Sequence, residues 1–253
     1  MTAPILVTGG TGTLGSHVVR RLREAGREVR VLSRSGRKAG AGIQYVTGDL
    51  ATGEGIDAAV EGVEVIMHLA GSAKGDEIKT RNLVLAAASQ PQAPHLVYIS
   101  VVGADRPTFS YFASKLASEE IVIESGLPWT ILRATQFHDL MLKVGEGMAK
   151  LPVIPTPSGF RFQPIEADEV AARLVELALG EPAGRVPDIA GPQVFEMAEL
   201  VRGYLRASHR RRLIVPVWLP GRAAREFRAG ANLAPERSTG RRTWEEFLAT
   251  RLV

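Results

Sequence analysis

A doubly wound α/β fold on a mostly parallel sheet is the fold class this sequence predicts, and three observations predict it. Short β-branched or apolar runs recur along the first 130 or so residues, longer helical patterns separate several of them, and a glycine-rich turn joins the first run to the first helix. Strands alternating with helices imply βαβ units, and βαβ units build a parallel sheet.

The elements follow in order. Strands are expected at Pro4 to Val7, Val29 to Leu32, Ile43 to Val46, Val65 to Leu69 and His95 to Ser100. The helix after the first strand carries Val18, Val19 and Leu22 on one side, with Arg20, Arg21 and Arg23 mostly outside, which is the apolar stripe of a helix lying on a sheet. Further helices are expected around Ile56 to Val60, Ile78 to Ser89 and Tyr111 to Ser125, and "LPWTIL" (Leu127 to Leu132) reads as a sixth strand. Beyond it the alternation fades into "LPVIPTPSGFRFQP", whose prolines and glycines predict an irregular segment, so that Met141 to Gln163 and the C-terminal helices are where specificity is expected. Helical patterning returns in "ADEVAARLVELALG", with Val170, Leu174, Val175 and Ala178 on one face and Asp168 placed to cap, and again from near Met197. The chain divides softly: residues 1–135 form a nucleotide-binding Rossmann portion, and residues 136–253 form a small C-terminal portion that completes the sheet and shapes a substrate pocket, the two being one integrated domain.

Composition narrows the chemistry. A chain of 253 residues can bury a substantial core without cross-links. With no cysteine it has no disulfide framework, thiolate nucleophile or cysteine-ligated metal, and its five scattered histidines show no close-spaced zinc pattern, so no metal is expected. The first residues lack the basic start and apolar core of a leader, and no run of about 18 apolar residues occurs, so a cytoplasmic protein without a membrane partner is expected. The net charge of +4 is concentrated at one end, where residues 200–253 hold twelve arginines against four acidic residues. "SHRRRL" there has the charge of a nucleic-acid or membrane-surface patch, and is read instead as solvated arginines over a helix end. Nucleic acid is set aside as a partner because no aromatic stacking platform interleaves them. Trp129, Trp218 and Trp244 are read as core or packing residues. Oligomeric state is open between monomer and homodimer.

Gly9, Gly12 and Gly15 form G-x-x-G-x-x-G immediately after a strand and at the start of a helix. Glycine allows a tight turn, lets the backbone approach a pyrophosphate, and permits close helix-to-strand packing, while the free amides of the helix start meet the negative charge. Strand, triplet and helix within the first 25 residues point to a dinucleotide cradle, with Thr11, Thr13 and Leu14 as its neighbours. At the end of the second strand, "VLSRSGRK" lacks the acidic residue that accepts a ribose 2′-hydroxyl. Arg34 stands there instead, with Arg37 and Lys38 nearby, and a guanidinium suits a 2′-phosphate by charge and bidentate geometry, favouring NADP(H) over NAD(H).

With "TGGTGTLG", "GDL" at Gly48 to Leu50, "HLAG" at His68 to Gly71, "YISVVGA" at Tyr98 to Ala104, "YFASK" at Tyr111 to Lys115 and "SGLPWTILRATQFHD" at Ser125 to Asp139, the chain resembles the atypical short-chain dehydrogenase/reductases, closest to their NmrA-like, NAD(P)H-binding branch. The likeness is dense over roughly the first 140 residues. It implies that Asp49 and Leu50 contact adenine and that Leu69, Ala70 and Gly71 line the cofactor beyond the pyrophosphate. Tyr111 and Lys115 match the family's Y-x-x-x-K pair. Residues four apart share a helix face, so the ammonium would hold the nicotinamide ribose and lower the phenol pKa for proton exchange during hydride transfer. The family's serine lies near the end of the preceding strand, where Ser100 fills the place only if the register allows, since Val101 and Val102 carry no hydroxyl.

Gln136, Phe137 and His138 follow the sixth strand, at the carboxyl edge where open α/β sheets place ligands, and are candidates for the substrate pocket; His138 is equally readable as a structural histidine. Two functions remain: an NADPH-dependent reductase of a small carbonyl or enone-like substrate, or a non-catalytic NADP(H)-binding sensor of the NmrA type.

Overall fold

The structure, a computed structural model, describes residues 3–36, 40, 42–72, 75–106 and 109–252. In chain order the Rossmann portion runs β1 (Ile5–Thr8), α1 (Thr13–Glu24), β2 (Val29–Ser33), β3 (Ile43–Thr47), α2 (Ile56–Val60), β4 (Val65–His68), α3 (Asp76–Ala88), β5 (His95–Val101), α4 (Ser110–Ile123) and β6 (Trp129–Ala134). The rest follows as α5 (His138–Met148), β7 (Val153–Pro157), β8 (Arg161–Phe162), α6 (Ala167–Leu179), β9 (Gly184–Arg185), β10 (Phe195–Glu196), α7 (Met197–Ala207), β11 (Leu213–Val217), α8 (Arg222–Arg228), a 3₁₀ turn at Pro235–Arg237 and α9 (Trp244–Arg251).

Seven of these strands form one sheet in the order β3-β2-β1-β4-β5-β6-β9, every neighbouring pair parallel. Helices cover both faces, which is why the inner strands read as unbroken apolar runs rather than as alternation: all four residues of β1 are buried. Along one face Ile5, Val7, Val97 and Leu132 pack against α1 and α6, through Val18, Leu22, Val170 and Leu174. Along the other, Leu6, Ile66, Leu96 and Ile131 pack against α2, α3 and α4, through Ile56, Leu83 and Val122. Val18 and Leu22 are fully buried, each burial stabilising by about 1.5–3 kcal/mol. The chain leaves β3 at the edge and re-enters on the far side of β1, so the order reverses between β1 and β4. Thr8 pairs with His68 there, setting the turns after both strands side by side at the carboxyl end of the sheet.

Several expectations are corrected. The cap of α6 is Glu166, not Asp168; Asp168 lies in the first turn and receives Arg21 at 2.9 and 2.7 Å and Arg20 at 2.6 Å, joining α1 to α6. The stretch from Met141 to Gln163 is not irregular throughout, because it begins inside α5 and holds β7 and β8, which pair with β11 (parallel) and β10 (antiparallel). With α5, α7 and α9 these small sheets enclose a separate core that includes Ile154, Phe162, Leu200, Tyr204 and Phe247. Trp244 is buried in it as read, whereas Trp218 is 66 % exposed. No helix among the described residues is long and apolar enough to cross a membrane.

Candidate active site

The glycine turn is closed by backbone contacts that exclude side chains. Gly9 has φ +70° with Ala70 backbone atoms against it, and a Cβ on Gly15 would stand 2.1 Å from the Gly9 carbonyl oxygen. The turn thus draws α1 onto the carboxyl ends of β1 and β4. Gly12 precedes α1, whose first i→i−4 bond runs from Ser16 N–H to the Gly12 carbonyl, so the amides of Thr13, Leu14 and Gly15 lie in the turn where a helix presents unpaired donors.

Two adjoining cavities open along this edge. One, of about 480 Å³, is lined by Thr8, Thr11, Arg34, Asp49, Leu50 and Ala70 among others. The second, of about 420 Å³, is lined by Thr13, Leu14 and Gly15 together with Ser100, Tyr111, Lys115, Gln136 and Phe137. Gly9, Gly12, Leu69 and Gly71 border both. The two cavities together are lined by the predicted cofactor residues, except Lys38, which with Arg37 lies outside the described residues. Asp49 turns one carboxylate oxygen into its own loop, where it accepts from Ala51 N–H at 2.8 Å.

His138 is not among the residues lining either cavity. Its ring is fully buried and stacked against Trp244 and Phe247, with centroids 5.8 and 5.1 Å away. Its position is that of the structural alternative, since β6 ends before it and the first turn of α5 faces the C-terminal core. Gln136 lines the cavity while its amide donates to the Asn232 carbonyl at 3.1 Å, tying the segment after α8 to the site.

Lys115 is almost completely buried and salt-bridged to Asp76 at 3.1 Å, and it donates to the Tyr98 hydroxyl at 3.3 Å. Burial pushes the ammonium down, but Tyr98, Tyr111 and Asp76 outweigh it and raise its pKa above the usual lysine value, so it stays charged. Asp76 shows the mirror image: burial pushes its carboxyl up, while Lys115, the Ser72 amide and Lys79 pull it below the usual range. For Tyr111 the expected lowering is overturned. Burial raises its pKa, Lys115 opposes, and Asp76 adds to the rise, leaving a neutral phenol. Ser100 stands one residue before the end of β5, on the same face as Tyr98; its hydroxyl is buried and has no hydrogen-bond partner among the described residues, and the residue lines the second cavity. An orphaned buried hydroxyl is costly unless something in the cavity pairs with it.

Sequence reasoning missed Asp76, Tyr98 and the mounting of α4. Ser114 receives the Asp76 amide at 3.2 Å and gives its hydroxyl to Glu77, clamping α4 to the start of α3. One turn beyond Lys115, Glu119 accepts a two-pronged bond from Arg133 of β6 at 2.8 and 2.6 Å; opening such a buried pair costs about 3–5 kcal/mol. An acidic residue opening the helix after "HLAG", beside the switch point, was the available signal for Asp76.

The chain is similar to known NAD(P)H-binding proteins. A family model described as NAD(P)H-binding matches residues 9–179. The NAD(P)H azoreductase of Xenophilus azovorans is 29 % identical over 214 residues, covering 81 % of this chain and 74 % of its own. The (4-alkanoyl-5-oxo-2,5-dihydrofuran-3-yl)methyl phosphate reductase of Streptomyces griseus is 29 % identical over 202 residues, 77 % of this chain and 70 % of its own. Among solved structures, the NADPH-dependent quinone oxidoreductase of Escherichia coli, complexed with NADPH, superposes with a TM-score of 0.83 at 18 % identity, over 98 % of this chain and 100 % of that one.

Proposed function

Because the chain belongs to the NAD(P)H-binding family, we propose that it is an NADPH-dependent reductase that delivers hydride to a small carbonyl or enone-like substrate. One observation carries the reading: Ser100, Tyr111 and Lys115 line the same cavity as the glycine turn. The cradle fits a dinucleotide, because the space a Cβ would fill at Gly9 and Gly15 is taken up by backbone drawn close around the turn. The bound nicotinamide supplies hydride. The chain supplies the rest. The first-turn amides of α1 would hold the pyrophosphate, Arg34 would hold a 2′-phosphate, and Lys115, held charged by Asp76, would hold the ribose end. Tyr111, neutral in its partly buried position, gives the proton of its hydroxyl to the substrate oxygen, while the unpaired Ser100 hydroxyl donates to that same oxygen and stabilises its developing charge. Gln136 and Phe137 wall the substrate side. The azoreductase and the phosphate reductase named above are enzymes by name, which favours turnover over the sensor reading.

NADPH consumption across a panel of carbonyl compounds and quinones tests this. The wild type turns over at least one class, and Tyr111→Phe lowers kcat by about 100-fold or more while NADPH binds as before. Full activity in Tyr111→Phe removes the proton donor from the mechanism, and no turnover of any compound returns the sensor. The cofactor preference has a separate readout: titrated by fluorescence, Arg34→Ala weakens NADPH by about tenfold and leaves NADH unchanged, as expected for the loss of one charged hydrogen bond. An unchanged ratio removes Arg34 from the site.

A further inference from the structure

The small sheet of β7 and β11 carries an outward face that none of the described residues covers. Leu213 lies beside Val153, Val215 beside Pro155 and Val217 beside Pro157. Strand alternation puts these six on one side, while Ile154 and Ile214 turn into the C-terminal core. The run continues into Trp218 and Leu219, 66 % and 41 % exposed. Scattered exposed aliphatic residues need no explanation, but a continuous strip of this kind marks a contact surface.

Both ends of the strip carry basic side chains. Lys150, Arg211 and Arg212 surround a shallow hollow beside Pro152 and Leu213 at one end. At the other, Arg228 lies over the Trp218 ring at 3.9 Å and donates to the Leu219 carbonyl at 3.0 Å, holding the exposed indole in place. From Arg206 to Arg228 the chain holds seven arginines against Glu226 alone.

We propose that this face docks the protein on the surface of an anionic lipid bilayer, with the β7–β11 strip in the interfacial layer and the arginines and Lys150 on the lipid phosphates. A strip of aliphatic side chains ending in tryptophan and rimmed by cations is the chemistry that interface accepts. A nucleic acid would satisfy the arginines and leave the aliphatic row without a partner. A second copy of the chain would bring like charge against like. The docked face is also close to the reaction cavity: Phe227, next to Arg228, packs on Phe112, which lines that cavity, with ring centroids 6.1 Å apart. The inference does not depend on the reductase reading.

Sedimentation of the full chain with vesicles tests it. The protein binds phosphatidylcholine vesicles containing about 30 % phosphatidylglycerol, and binds pure phosphatidylcholine at least about tenfold more weakly. Arg211→Glu with Arg212→Glu, and separately Leu213→Ser with Trp218→Ser, each weaken binding by about tenfold or more, and added salt weakens it in the wild type. Unchanged thermal melting and NADPH affinity serve as the folding control. The conservative Trp218→Phe supplies a readout that no unfolding can mimic: anionic vesicles shift the tryptophan emission of the wild type to the blue, and the shift is lost in this variant. Absence of binding to anionic vesicles, or binding indifferent to both double variants, overturns the proposal. So does a dimer in solution that Leu213→Ser with Trp218→Ser dissociates, or an affinity for RNA or DNA that exceeds the affinity for vesicles.

Discussion

At the scale of single residues, the two most buried histidines show how one side chain reaches opposite solutions. His68 is fully paired: the Thr80 hydroxyl is already given to the Asp76 carbonyl at 2.8 Å, so His68 Nε2–H donates to Thr80 Oγ1 at 3.1 Å and Nδ1 accepts the Thr8 hydroxyl at 2.7 Å. Burial, with the Lys115 charge, pulls its pKa to about 3. His138 has no hydrogen-bond partner for either ring nitrogen among the described residues and is held near 4 by burial and by Arg242. Both folded values lie below the free imidazole value of about 6.5. Between about 6.5 and 4 the unfolded chain therefore binds two protons that the folded chain does not, and stability falls as the pH falls through that window, by about 1.4 kcal/mol per pH unit for each histidine. His138→Phe keeps the stack on Trp244 and Phe247 and removes one of the two contributions. Urea unfolding at pH 7.5 and 5 is expected to show equal or higher stability for the variant at pH 7.5, and a loss of stability between the two pH values smaller than the wild type's by about 2 kcal/mol. An unchanged slope means that His138 already takes up a proton in the folded state.

At the scale of elements, what could be read from the chain depended on whether the deciding interactions are local. The strands β1 to β6 and the helices α3 and α4 were legible to within two residues at either end, and α1 by its face, because sandwich burial leaves continuous apolar runs and α1 carries its stripe in plain sequence. The glycine turn was legible because Gly12 and Gly15 answer to Gly9 and Gly10 within the same βα unit, although Gly9 itself meets Leu69 and Ala70 some sixty residues on. The helix α5 was hidden: Gly145 and Gly147 lower its intrinsic propensity, and it forms because Met141 and Ala149 close the C-terminal core. The pairing of β7 with β11 joins residues some sixty positions apart, both rich in proline, which no local pattern announces. At the site, Tyr111 and Lys115 could be placed from their spacing, but the protonation logic could not. The acid that holds Lys115 comes from another helix, and burial, invisible in sequence, turns the Tyr111 shift upward rather than downward.

At the scale of the whole molecule, the soft boundary at residue 135 runs through the main core rather than between two cores. The α1 side of the sheet is completed from the far half: Ile165, Val170, Ala171, Leu174, Val175, Val186 and Ile189 are buried in one cluster with Val7, Val18, Leu22 and Val97. The strand β9 extends the sheet beyond β6, and Asp168 of α6 receives both Arg20 and Arg21 of α1. A chain ending at residue 135 would expose the apolar side that α6 covers. Four of the contributors, Val170, Ala171, Leu174 and Ile165, are 1 % exposed or less, and at about 25 cal/mol per Å² the burial lost with such side chains is of the same order as the whole stability of a domain. Residues 1–135 alone are therefore expected to lack a cooperative thermal transition and to aggregate. The full chain is expected to unfold its sheet in one calorimetric transition, to which NADP⁺ adds stability by mass action. A soluble 1–135 fragment that melts cooperatively and binds NADP⁺ would show instead that the nucleotide half folds by itself, and that α6 is docked onto a finished unit rather than needed to complete it.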